Sequence, residues 1–219
     1  MINATNKSKP KEPIPAGTYL ARCYSIAHIG TEYFEYQGEA KESNKVRLTF
    51  ELPKKLKVFD EKKGLEPMVI GEEYGISTHK KSNLRAVMNS WRGFDFTADE
   101  EKNFDVLSMI GEPCMIGISI TDKDYNKITS ISKMMDGMEC PAQMNKTALF
   151  DYNENFGGLS ALPEFIQKKI RETPEYKVKM GLAVDTENQS LEQMSQAGAD
   201  EDYNQATGAD DEGFAKSME

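Results

Sequence analysis

Three stretches of the chain bring cationic and aromatic side chains together. In the first, Tyr33, Phe34 and Tyr36 are followed by Lys41, Lys45 and Arg47. The second runs from His79, Lys80 and Lys81 to Arg85, and on to Trp91 and Arg92. The third is Lys123, Tyr125 and Lys127. Cations of this kind neutralise phosphates, and exposed rings offer faces on which nucleobases stack. Stacking contributes ~1–3 kcal/mol per base, so two or three rings beside a few cations suffice for a single-strand site.

Each of these residues also has a plain structural use. Aromatics in a hairpin pack against the body of a sheet as readily as they stack on bases. Trp91 shares helical spacing with Leu84, Val87 and Met88, which makes it a core residue; Phe94 and Phe96 are expected there too. Glu32, Glu35, Glu39 and Glu42 dilute the positive charge of the first stretch. Lys54, Lys55, Lys57, Lys62 and Lys63 read as a solvated loop. The cations that best fit phosphate contact are therefore Lys45, Arg47, Lys80, Lys81, Arg85 and Lys127.

Catalysis finds little support. The chain has no phosphate-binding G-x-x-x-x-G-K-[ST], no G-x-G-x-x-G after a strand and no G-x-S-x-G elbow. Its two histidines, His28 and His79, belong to no metal-binding spacing. Cys23, Cys114 and Cys140 are odd in number and far apart, which suits free thiols in a reducing compartment. The expectation is a non-enzyme with no metal and no cofactor, in the cytoplasm.

Composition divides the 219 residues in two. The net charge is −9, yet residues 181–219 alone hold ten acids and one lysine. The first 180 residues are therefore neutral overall and can carry basic patches. Apolar residues make up 38%, below the ~45–50% usual for globular chains. The acidic stretch reads as a disordered tail that contacts partner proteins or shields a cationic groove. No apolar run approaches the ~18 residues a membrane helix needs. Residues 1–15, with three prolines, read as a flexible arm.

Between arm and tail, periodicity gives an order of elements. A strand spans 18–29, apolar on both faces as in a long, bent strand. A polar loop or hairpin tip covers 30–44. Val46, Leu48, Phe50 and Leu52 alternate along a second strand that Pro53 ends. A third strand, about 68–78, carries Tyr74 and two interior glycines. Ser82 caps a helix that stops at Gly93, and Thr97 and Glu100 form a capping box for a second, short helix. Strands over 114–121 and 127–134 form a hairpin. Residues 136–158 look irregular, and 162–172 form a helix ended by Pro174. Five strands with a helix between the third and fourth is the order of an OB-fold, a five-stranded Greek-key barrel. The barrel is expected over 16–135, with 136–180 packed on it. An OB-fold binds across strands 2 and 3, walled by the 1–2 and 4–5 loops, where the first and third clusters fall. The candidate nucleic-acid residues are thus Tyr33, Phe34, Tyr36, Lys45, Arg47, Tyr74, His79, Lys80, Lys81, Arg85, Tyr125 and Lys127.

Several segments carry a resemblance. They are Pro-Ala-Gly-Thr-Tyr-Leu-Ala-Arg (15–22), Val-Arg-Leu-Thr-Phe-Glu-Leu-Pro (46–53), Ser-Asn-Leu-Arg (82–85), Ser-Trp-Arg-Gly (90–93), Ile-Gly-Glu-Pro-Cys (110–114) and Leu-Pro-Glu-Phe-Ile-Gln (162–167). Over about residues 14–176 the chain resembles bacteriophage single-stranded DNA-binding proteins of the OB-fold type. The resemblance implies a protein that coats single strands without sequence preference during replication or recombination, in the host cytoplasm. It also implies replication or recombination proteins as partners of the acidic tail. Many such proteins end on an aromatic; here Phe214 stands five residues before Glu219. The alternative is a phage accessory factor that uses barrel and tail to bind a protein.

Overall fold

The computed structural model describes residues 13–182. Most of the expected arm (1–12) and the charged part of the acidic tail (183–219) lie outside the described residues. Ile14 is already fixed: it is buried, its N–H donates to Asn126 Oδ1 at 2.7 Å, and its carbonyl accepts from Asn126 Nδ2 at 2.6 Å. The arm therefore does not extend to residue 15.

The chain is mainly β with few helices. In order come β1 (Gly17–Tyr36), β2 (Glu39–Val58), β3 (Leu65–Gly75), α1 (Asn83–Arg92), β4 (Pro113–Ile120), β5 (Asn126–Ser132), β6 (Ala148–Phe150), α2 (Glu164–Glu172) and α3 (Pro174–Lys179). The antiparallel order is β3-β2-β1-β4-β5, and β6 pairs β1 in parallel. The sheet is open rather than the closed barrel expected, because β3 and β5 are edges with no ladder between them. At that seam the half-buried Glu72 of β3 lies within electrostatic reach of Lys127 of β5. Charged side chains stand where closure would need a backbone ladder.

β1 is buried on both sides, as its double apolar alternation predicts. Register shifts at Cys23/Ser25 and His28/Gly30 bend it. One side joins Ile26, Leu48, Phe50, Leu52, Met88 and Ile116 in the main core. The other side places Ala27 and Ile29 under Phe150, Leu162, Ile166 and Ile170, a second core made by the C-terminal layer. Gly30 permits that layer to close: its φ is +104°, and a Cβ there would sit 2.8 Å from Glu175 Oε2 and from Tyr152 Oη. Residues 136–158 are thus less irregular than they read, since β6 and the loop before it lie against the sheet.

α1 forms as its caps dictate. Ser82 Oγ accepts from Arg85 N–H at 3.2 Å, and Gly93 takes φ +80° as its N–H returns to Asn89 O. Leu84, Met88 and Trp91 are buried on one face, and Trp91 Nε1 donates to Pro113 O. The Thr97–Glu100 capping box forms, but no helix follows it. Glu100 also accepts from Arg92 at 2.6 Å, and only a short 3-10 turn appears at Val106–Met109. Phe96 is core; Phe94 is 58% exposed, not buried as expected, and lies 4.2 Å from the Arg92 guanidinium.

Both long hairpins outrun their predicted strands. Residues 30–44 are a two-stranded ribbon turned at Gln37 and Gly38, both at positive φ, as a two-residue I′ turn requires. Pro53 sits in a bulge rather than at a strand end, and β2 continues to Val58 opposite Leu65. Among the described residues no helix is long and apolar enough to cross a membrane.

Candidate nucleic-acid interface

Register decides which ring faces which way. Phe34 pairs with Lys41 and Tyr36 with Glu39, so Phe34, Tyr36 and Lys41 share one side of the first ribbon, while Tyr33 takes the other. All three rings are about 40% exposed. Lys41 Nζ lies 4.4 Å from the Tyr36 centroid. Following alternate residues down β2 on the same side leads to Ser43, Lys45 and Arg47. This is the outer side of the sheet, opposite the main core.

Lys45 and Arg47 are held in a chain of ion pairs. Lys45 lies 2.7 Å from Glu32, Glu32 lies 2.6 Å from Lys169, Lys169 lies 2.6 Å from Glu73, and Glu73 lies 3.2 Å from Arg47. Burial raises the Glu32 carboxyl, but Lys169 and Lys45 outweigh it and hold the group below its ordinary value. Burial lowers Lys169, and Glu73 and Glu32 outweigh it in turn. Arg47 also lies 5.4 Å from the Phe165 ring, with its Nη2 donating to Gly71 O. A Cβ on Gly71 would come within 3.0 Å of that Nη2 and 2.9 Å of Thr49 Oγ1. The glycine is what lets the guanidinium lie flat on β3.

The second cluster separates into surface and interior. His79, Lys80 and Lys81 are exposed at the turn before α1. Arg85, expected beside them, is instead 5% exposed and structural. It donates to Thr78 O and Asp95 Oδ1, and Glu101 sits 2.7 Å away. Tyr74 is likewise interior, at 8% exposure, because β3 turns its even-numbered side chains from Met68 to Tyr74 towards the core. In the third cluster Tyr125 is 48% exposed, while Lys127 is half-buried near Glu72.

Two features escaped sequence reasoning. The lysine-rich excursion is a second ribbon: Leu56 pairs with Pro67 and Val58 with Leu65, and Phe59 at its turn is 54% exposed. The alternation Leu56-Lys57-Val58 beyond Pro53 was the available signal. The other is Phe165, 57% exposed on α2 and brought over Arg47 by packing no local pattern encodes. Outer-side residues Phe34, Tyr36, Phe165, Val69 and Leu65 therefore mark one side of the sheet from ribbon to ribbon.

Comparison with family models, with curated proteins and with solved structures gave no match. The reading of this surface rests on its own geometry. Among the described residues no three His, Cys, Asp or Glu side chains are grouped to hold a metal ion. What the arrangement can do chemically is offer flat apolar faces and ammonium groups along an extended track.

Proposed function

We propose that the protein binds single-stranded DNA along the outer side of β1–β3, without sequence preference, and that the sheet is an OB-fold whose seam between β3 and β5 is left unpaired. The strand order supports the fold reading, since β1 pairs with both β2 and β4 and α1 falls between β3 and β4. The observation that carries the function is the exposed row of Phe34, Tyr36 and Phe165, with Lys41 against Tyr36. Rings stack on any base, and the lysines of both ribbons supply phosphate contacts that ignore sequence. A role in phage replication or recombination, and partner proteins for the acidic tail, extend the sequence resemblance to this surface.

The test is fluorescence anisotropy of labelled oligo-dT against duplex and RNA of equal length, over a salt series. Trp91 is 3% exposed, so intrinsic tryptophan emission reports the core rather than the ligand. Tight oligo-dT binding that weakens with salt by ~0.7 logarithmic units per phosphate contact is expected, with weak duplex binding. Absence of binding at low salt defeats the reading. The rival, a protein-binding module, draws on the exposed Leu56, Val58, Phe59 and Leu65 of the second ribbon. It would gain if a stoichiometric protein partner bound there and DNA did not.

A further inference from the structure

Two open clefts adjoin where β3 hands over to α1, and they share Ser77 and Thr78. One, of about 480 Å³, presents His79 and Lys80. The other, of about 360 Å³, is walled by Ile76, Leu84, Phe96 and Phe104, with Lys102 and Asn103 at its polar side. Both are within the ~300–1,000 Å³ range of small-ligand sites. We propose that the joined clefts take one nucleotide unit of the bound strand, the base between the phenylalanine walls and polar rim of the second cleft and a neighbouring phosphate beside Lys80 and His79. This inference rests on the single-strand reading above and adds a specific subsite to it.

The second cleft combines ring walls with a polar rim, and the first presents a lysine. A base has apolar faces and a polar edge. The second cleft offers phenylalanine walls and a polar rim of Ser77, Thr78, Lys102 and Asn103. Its rings are held in place: Phe96 and Phe104 meet edge to face at 4.8 Å, and the Arg92 guanidinium lies 5.1 and 5.0 Å from them. In the first cleft Glu101 does not repel a phosphate unopposed, because Arg85 sits 2.7 Å from it. Lys80 has no ion pair among the described residues and is exposed. The clefts also adjoin the root of the first ribbon, since Ile76 N–H donates to Asn44 O at 2.7 Å.

Methyl and aromatic NMR of the full chain tests this, with oligo-dT and with thymidine 5′-monophosphate as separate ligands. Oligo-dT should move the Ile76, Leu84 and Val106 methyls as well as the Phe34 and Tyr36 rings. Ser77→Trp fills the shared wall and should abolish the methyl shifts and weaken oligo-dT binding about tenfold. Asn103→Ala, at an exposed position, should weaken it less and serves if the larger variant misfolds. Still methyls with responding rings would remove the subsite and leave the proposed function intact. No response anywhere would remove both. Micromolar binding of the mononucleotide, undisplaced by oligo-dT, would make this a free-nucleotide site and overturn its assignment to the strand.

Discussion

Arg22 and Glu51 are partners across the β1–β2 register, and both grip the same loop. Arg22 donates to the carbonyls of Cys140 and Pro141, and to Gly111 O at 2.6 Å. Glu51, fully buried, accepts from Met144 N–H at 2.7 Å and from both Asn145 N–H and Nδ2, at 2.7 and 2.8 Å. A cation and an anion thus satisfy opposite ends of one segment's backbone. That pins the C-terminal layer to the outer side of the sheet, over the middle of β1, and leaves the first ribbon and the β2–β3 part of that side open to a ligand.

Glu51→Ala should be among the most damaging single changes. It leaves three part-buried donors without their acceptor, a loss of about 2–4 kcal/mol. For a chain of this size that lowers the melting temperature by several degrees, at ~2–4 °C per kcal/mol. Glu51→Gln should recover part of the loss, because one amide oxygen still accepts. A thermal melt of Glu51→Ala that matches the wild type would show that the loop is held some other way.

Lys169 joins α2 to the sheet through Glu32 and Glu73. Lys169→Met should cost about 1–3 kcal/mol by leaving two carboxylates close together with fewer cations. Because Glu32 is held below its ordinary value of 4.5, its stabilisation is present above that pH and is lost as pH falls through the depressed value. Lys169 is raised above 10.5, so its contribution is complete below that pH and lost as pH rises through the raised value. Urea midpoints across pH should therefore differ most between wild type and variant at neutral pH. A constant difference down to strong acid would sink this account.

The parts of this architecture that were legible in sequence are those with local causes. Ser82 and Gly93 bracket α1, and the alternation of Val46 to Leu52 sets which side of β2 is core. The exposed ribbon rings were also readable, because Tyr33, Phe34 and Tyr36 sit in a polar setting beyond the core alternation. What failed depended on contacts distant in sequence. Arg85 looks like a surface cation until Asp95 and Glu101 fold back on it. Arg47 and Lys45 look free until α2 delivers Lys169 to the carboxylates beside them. Tyr74 falls on the core parity of β3, which its two neighbouring glycines and glutamates hide.

Glu72 gives the seam its own pH dependence. Burial pushes its carboxyl up to about 7, with Lys127 and Arg47 offsetting only part of the rise. The folded chain then keeps a proton that the unfolded chain releases between about pH 4.5 and 7, so this group's contribution falls as pH rises through that window. The change is on the order of 1–3 kcal/mol. Glu72→Gln should flatten stability across those pH values and raise it at pH 8. Parallel wild-type and variant curves would show that the seam is more solvated than its burial implies.

The two sides of the first ribbon should differ in DNA binding. Phe34 and Tyr36 lie with Lys41 on the side that continues to Arg47, and Tyr33 lies on the other with Glu35 and Glu42. Stacking is worth ~1–3 kcal/mol per base, so Phe34→Ala or Tyr36→Ala should each weaken oligo-dT binding by about fivefold or more. Tyr33→Ala should change it by less than about twofold, since no cation follows its side along β2, whereas Lys41, Lys45 and Arg47 follow the other. Lys41→Ala should reduce the salt slope by ~0.7. All four positions are exposed, so none should unfold the chain. Anisotropy titrations that rank Tyr33 equal to Phe34 would mean that the strand wraps the ribbon from both sides, and the track along β2 and β3 would lose its support.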